Sequence, residues 1–273
     1  MKKLLLLVGF AFVAISTSCS SNDDDKKTEE VAKTNLRVVV AVLDKDGNAL
    51  NVQSADANKT KDYVTAGSGY QHRVLIEDFT GAWCGWCPRV SHSIEELEKS
   101  DNDKIVAVAL HNGDKFVFSP HEGNLSNALW TKFQATSKGY PFAVLNRNVE
   151  WNATSGNLMN LTQAKNLAKA SSDIGIKISS ELGDTSGKVN VSLKFNADYS
   201  DLKYVVYVLE DNLILAQENY TTNYGGKGKK AEFVHNAVAK AVNNINGEAV
   251  TNSSKGSEFN SSELSFTYKK FAK

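Results

Sequence analysis

Apolar and polar positions along the chain follow two different periods. Val74 to Phe79 is a short apolar strand; Val90, Ile94 and Leu97 fall at i, i+4 and i+7, one face of a helix; and IVAVAL, Ile105 to Leu110, reads as a strand buried on both faces. That order is a β-α-β unit. A polar loop with His111, Pro120 and His121 follows, then a second helical stripe at Leu125, Leu129 and Phe133. GYPFAVLNRNVEW gives two strand runs joined at Asn146-Arg147-Asn148, and Leu158, Leu161 and Leu167-Ala168 predict a closing helix. Beyond Ser171 the pattern changes: VNVSLKF alternates with period two, YVVYVLEDNLILA is a longer apolar run, and ELSFTY alternates through Leu264, Phe266 and Tyr268. One helix is predicted in this half, at Val234 to Val242. Ahead of the β-α-β unit, NLRVVVAVLDKDGNALNV offers two apolar runs around Asp46-Gly47-Asn48, a hairpin by its turn chemistry.

These periods divide the mature chain into a small β element with linker over residues 35–71, an α/β domain over 72–171 and a β-rich, sandwich-like domain over 172–273. Residues 1–18 read as an export signal, with a basic start at Lys2-Lys3, an apolar run from Leu4 to Ile15 and small residues Ser16-Thr17-Ser18 before Cys19. The apolar run is too short to span a bilayer. The polar SSNDDDKKTEE segment makes residues 19–34 an unstructured tether by composition. Thirty-one acidic and thirty-one basic side chains give a net charge of zero, so no basic field points to nucleic acid.

Cysteine usage then carries the chemistry. Of three cysteines, Cys19 closes the signal, and Cys84 and Cys87 stand two residues apart between an apolar strand and a helix. A disulfide across so few residues closes a very small loop and removes little chain entropy, so it makes a poor staple. Thiol-disulfide exchange instead needs an attacking thiolate, a nearby resolving thiol and access for a partner. Cys84, where orphan N–H groups and the helix dipole favour negative charge, is the expected accessible nucleophile; Cys87, further into the helix, is the shielded thiol. Asp78 lies on the strand that feeds the pair, and a carboxyl buried there would have a raised pKa and could move the proton of the resolving thiol. Glu77 points to the opposite face by strand alternation. Trp83 and Trp86 flank the cysteines, and Tyr140-Pro141 suits a cis bond in a tight turn opposite the helix start. These four are the candidate substrate-binding residues. Rival readings are an inert disulfide and a zinc site completed by two of His72, His92, His111 and His121, none at a recognisable ligand spacing. NYGGKGKKAE lacks the order of a phosphate loop. No cofactor or metal is called for.

EDFTGAWCGWC and Tyr140-Pro141 resemble the strand, Asp, Trp-Cys-Gly-X-Cys and cis-proline pattern of the thioredoxin superfamily over roughly residues 72 to 170. More narrowly, RVLIEDFTGAWCGWCPR, YVVYVLEDNLILAQ and FVHNAVAKAV are similar to the Omp28-related outer-membrane lipoproteins of Bacteroidetes. Phe142 departs from the small hydroxyl residue common after the cis-proline of the superfamily. The resemblance implies an α/β thioredoxin-like domain followed by a β-rich domain, a lipid on Cys19, and a place in the cell envelope, at the outer membrane. Two functions are open. One is a membrane-anchored thiol-disulfide oxidoreductase acting on cysteines of exported proteins together with an upstream redox partner. The other is a surface binding or adhesion lipoprotein that keeps the scaffold, its β-rich half making the contact.

Overall fold

The computed structural model describes residues 35–117, 131–132, 138–269 and 271. The signal, the tether with Cys19, His121 and the helical stripe at Leu125, Leu129 and Phe133 lie outside the described residues. Residues Thr34–Lys273 form one compact unit. Strands β1 (Leu36–Leu43) and β2 (Ala49–Asp56) make the expected hairpin, with Gly47 supplying a φ of 78° at the turn. Short strands β3 (Thr60–Lys61), β4 (Thr65–Ala66) and β5 (Gly69–Tyr70) lead into β6 (Val74–Thr80), helix α1 (Pro88–Asp101) and β7 (Ile105–His111). Next come β8 (Phe142–Leu145), β9 (Val149–Glu150) and α2 (Leu161–Leu167). The remainder is all strand: β10 (Ile174–Leu182), β11 (Ser186–Phe195), β12 (Lys203–Glu210), β13 (Leu213–Gln217), β14 (Lys230–His235), β15 (Val238–Val242), β16 (Glu248–Ala249), β17 (Glu258–Asn260) and β18 (Leu264–Thr267).

The fold expectation is corrected here. The chain is mostly β-sheet and not an α/β thioredoxin-like domain followed by a separate β-rich one. Its main sheet runs β2-β1-β12-β15-β7-β6-β8-β9, with β16 beside β12, so β12 and β15 from beyond residue 172 are inserted between β1 and β7 in one layer. The physical reason is visible in β1. Val38, Val40 and Val42 point into a core shared with Ile174, Ile176 and Ile178 of β10, in a second sheet ordered β17-β11-β10-β3. Val39, Ala41 and Leu43 point into the other core, with β6, β7, β8 and buried residues of α1 and α2. β12 repeats the division, Val206 and Val208 to one side and Val205 and Tyr207 to the other. A strand apolar on both faces needs cover on both, and each finds it only by joining N-terminal to C-terminal segments.

The helix expected at Val234 to Val242 is also corrected. Val234 and His235 end β14, Ala237 turns the chain with a φ of 58°, and Val238–Val242 is a buried strand between β12 and β7. Val234, Val238 and Val242 are four apart, an even spacing that fits a period of two as well as a period of 3.6. The local β-α-β order itself holds, with β6 and β7 parallel from Val74↔Ile105 to Thr80↔His111 and β8 antiparallel on the other edge of β6.

One buried ion pair ties this sheet together. The β8–β9 turn takes left-handed backbone at Asn146 and Arg147, with φ of 50° and 55°. From it the Arg147 guanidinium reaches under the sheet to Glu77, with Nε donating at 3.0 Å and Nη2 at 2.9 Å to Oε1. Tyr207 of β12 donates to the same oxygen at 2.5 Å, and Arg147 Nη1 donates to the Ile245 carbonyl at 2.7 Å. Burial works against the Arg147 charge, but Glu77 and Tyr207 outweigh it and raise its pKa. Breaking such a pair strands a buried charge, at about 3–5 kcal/mol. Arg147→Met should therefore cost about that much in urea unfolding, and Glu77→Gln in the same chain should restore most of it, because no unpaired charge is then left.

Candidate functional site

All seven residues of β6 are buried, including its two adjacent carboxylates. Alternation sends Glu77 to the Arg147 side and Asp78 to the opposite face. In register Asp78 lies between Ala109 of β7 and Ala143 of β8, two side chains too small to offer it anything. Its Oδ1 has no hydrogen-bond partner among the described residues, and burial alone pushes its pKa up to about 8. A cavity of about 50 Å³ opens beside it, walled by Glu95 and Glu98 of α1, His111 of β7 and His235 of β14. Burial also raises Glu98 and lowers His235, the latter to about 4.

Two residues after Thr80 the chain enters a tight series of turns. Cys84 N donates to Gly81 O at 2.9 Å, Cys87 N to Cys84 O at 3.2 Å and Val90 N to Cys87 O at 2.9 Å. Pro88 then opens α1, the position where its missing N–H has no helical partner to lose. Cys84 and Cys87 are joined as a disulfide in this loop. Both are buried, 3% and 1% exposed, so the expectation of an accessible Cys84 beside a shielded Cys87 is corrected. A segment far along the chain lies against this loop, with Gln217 Nε2 donating to Cys84 O and Tyr220 N to Gly85 O.

The flanking aromatics are exposed by contrast. Trp83 is 49% exposed, donates Nε1 to Asn112 O at 2.8 Å and stands edge-on to Tyr140 at 5.2 Å. Asn112 also donates to the Tyr140 hydroxyl at 2.9 Å. Trp86, 40% exposed, stands edge-on to Tyr220 on the other side of the pair, at 5.9 Å. The Tyr140-Pro141 bond is cis, and Phe142 beyond it packs on Phe79 at 5.6 Å. The structure thus gathers Cys84, Cys87, Trp83, Tyr140 and Pro141 around one end of β6, with Trp86 on Tyr220.

Several residues of this site were not marked by any pattern. Asp114 braces the loop, its Oδ2 accepting from Ala82 N at 2.8 Å and bonded to His111 Nδ1 at 2.7 Å while Oδ1 accepts from Phe116 N at 2.8 Å. Burial opposes its charge, but these donors hold its carboxyl below the usual range. Gln217 donates Nε2 to Cys84 O at 2.9 Å from the end of β13. No spacing in the sequence links positions so far apart. Among the described residues the histidines considered for zinc are dispersed: His72 accepts from Lys169 N, His92 faces Glu95 and His111 is held by Asp114. Among the described residues no helix is long and apolar enough to cross a membrane.

The family model described as outer membrane protein Omp28 matches residues 126–271, more than half of the chain, and the chain belongs to that family. This places it at the outer membrane of the cell envelope. Among solved structures it is similar to HBP35 of Porphyromonas gingivalis, at 20% identity and a TM-score of 0.54 over 74% of this chain, which shows a shared fold. The match spans 65% of the length of that protein. A protein from Agrobacterium tumefaciens matches 68% of this chain and 77% of its own at 15% identity and a TM-score of 0.40. A search of curated proteins found no match.

The raised Asp78 carboxyl sets a sign for stability against pH. An unfolded Asp titrates near 4, whereas the folded value is about 8. The folded chain therefore holds a proton that the unfolded chain releases, and stability falls as pH rises from about 4 to about 8. Urea unfolding of the oxidised protein should show the parent losing up to about 5 kcal/mol over that range relative to Asp78→Asn, which carries no such proton. A constant difference between the two chains would mean that Asp78 is ionised throughout.

Proposed function

We propose that this protein is a thiol-disulfide oxidoreductase of the outer membrane, anchored by lipid on Cys19 and acting through Cys84 and Cys87 on cysteines of exported proteins. The observation that carries the reading is the buried Asp78, whose Oδ1 has no hydrogen-bond partner among the described residues, on the strand that leads into the cysteine loop. A structural disulfide has no use for an isolated carboxyl in an apolar sheet, which costs stability unless protonated. A proton carrier does, and a pKa of about 8 suits exchange near neutral pH. The likeness of EDFTGAWCGWC to the cysteine motif of the thioredoxin superfamily supports the same chemistry.

In the reduced state the Cys84 thiolate attacks one sulfur of a partner disulfide, and the other partner sulfur leaves as a thiolate. The Cys87 thiol gives its proton to the Asp78 carboxylate, attacks Cys84 Sγ in the mixed disulfide and releases the second partner thiolate. The partner gains two electrons and the Cys84–Cys87 pair loses two; the reverse sequence oxidises a partner dithiol. Trp83, Trp86, Tyr140 and Pro141 form the rim on which the partner rests.

In the exporting cell Cys87→Ser should accumulate mixed disulfides that non-reducing gels resolve and reductant abolishes, because the resolving thiol is gone. Cys84→Ser should trap almost nothing. Absence of adducts in both variants would leave the pair as inert structure. The anchor is tested separately: Cys19→Ala should move the protein from the membrane to the soluble fraction, and a variant that stays with the membrane would remove the lipid from the reading.

A further inference from the structure

The cover over the disulfide is a loop from the far half of the chain. Residues 217–230 join β13 to β14, and their ends are paired, Gln217 with Lys230. Buried Asn219 organises the interior: its side chain donates to the carbonyls of Asn223 and Gly226, both at 2.9 Å, and accepts from Thr221 N at 3.0 Å and Oγ1 at 2.7 Å. Close ends and an internal network make this an Ω-type loop, a unit that keeps its own shape. Three of its residues lie on the cysteine loop. Glu218 N donates to Ala82 O at 2.9 Å and Tyr220 N to Gly85 O at 2.7 Å. Gln217 Nε2 donates to Cys84 O at 2.9 Å and Gly81 O at 3.3 Å. The Tyr220 ring lies so close over Gly85 that a Cβ there would stand 2.4 Å from it, so the contact is built for glycine at that position.

Glu218 and Tyr220 are alternate residues, the spacing with which a strand offers successive amides to one edge. The acceptors they occupy, Ala82 O and Gly85 O, flank Cys84 on both sides. A polypeptide lying beside Cys84 would draw on those same carbonyls, since extended segments bind by adding main-chain hydrogen bonds to an open edge. The rim stays open while the sulfurs are shut: Trp83 and Trp86 are 49% and 40% exposed, against 3% and 1% for the cysteines.

We propose that the 217–220 segment is a built-in occupant of the peptide edge beside Cys84, and that Gln217 and Tyr220 decide which partners reach the disulfide. The partner it selects is an extended, cysteine-bearing polypeptide, which can replace the strap's hydrogen bonds one for one. This rests on the reading of Cys84–Cys87 as redox-active. In the reaction a thiolate of the partner attacks Cys84 Sγ and Cys87 leaves as a thiolate. The partner's second thiol then displaces Cys84, so the partner leaves as a disulfide and the pair gains two electrons.

The oxidised full-length protein is treated with a short peptide carrying two cysteines and, separately, with tris(2-carboxyethyl)phosphine, and reduction is followed by alkylation and mass. Tyr220→Ala, at a half-exposed position that tolerates truncation, and Gln217→Ala should each speed reduction by the peptide at least tenfold and reduction by the phosphine less than threefold. Peptide rates unchanged in both variants, with the disulfide still reducible, would overturn the strap and leave the redox reading standing. An equal rise for the phosphine would mean general loosening of the loop and would also overturn it. Failure of the peptide and of a glutathione series to reduce parent or variants would end the redox reading, and the strap with it.

Discussion

A strand buried on both faces cannot carry two free charges, and β6 holds two adjacent carboxylates. Desolvation of an isolated carboxylate is far more costly than any single contact the sheet can supply. The chain resolves the conflict in opposite ways on the two faces. Glu77 receives a guanidinium and a tyrosine hydroxyl, drawn from the β8–β9 turn and from β12. Asp78 receives two alanines as neighbours, and burial raises its pKa to about 8, so its proton becomes the mobile group. Alternation along one strand thus separates a structural carboxyl from a chemical one.

That same pairing explains why the sheet is continuous. Tyr207 lies on β12, well beyond the segment that forms β6, and its hydroxyl is needed at Glu77. β12 is held at that depth because β1 pairs it along eight residues, from Leu36↔Glu210 to Leu43↔Lys203. The N-terminal hairpin therefore belongs to the architecture that keeps Glu77 satisfied. It is no appendage to a separate domain.

What was legible in the sequence was what is local. The strand-loop-helix around Cys84, the parallel return of IVAVAL, the hairpin at Gly47 and the turn at Asn146 all follow from periods and turn residues within a few positions. Cys84, Cys87, Asp78 and Trp83 lie within ten residues, so their chemistry could be seen together. The partners of β1, β12 and β15 could not, because an apolar run states that both faces are covered and says nothing of by what. Val234 to Val242 shows the same blindness, its spacing satisfying a helix and a buried strand alike. Arg147, Asp114, Gln217 and Tyr220 escaped for a related reason: each acts through a backbone or side-chain contact across the fold, with no residue type that announces it.

Register brings the distant strap to the cysteines. Ala109 of β7 lies beside Asp78 on one edge and beside Val238 of β15 on the other. Ala109 N also donates to Ala237 O at 2.8 Å, which fixes the chain just where β14 ends. The β13–β14 hairpin that precedes this point therefore stands over the end of the β6–β7 pair, and its loop lies against the cysteine turns, against Glu95 of α1 and against Asn157. Covering the disulfide is in this sense a consequence of inserting β15 beside β7. A chain that placed its C-terminal strands in a separate layer would leave the cysteine turns open to water. The continuous sheet therefore couples access at Cys84 to the same strand insertion that completes the core.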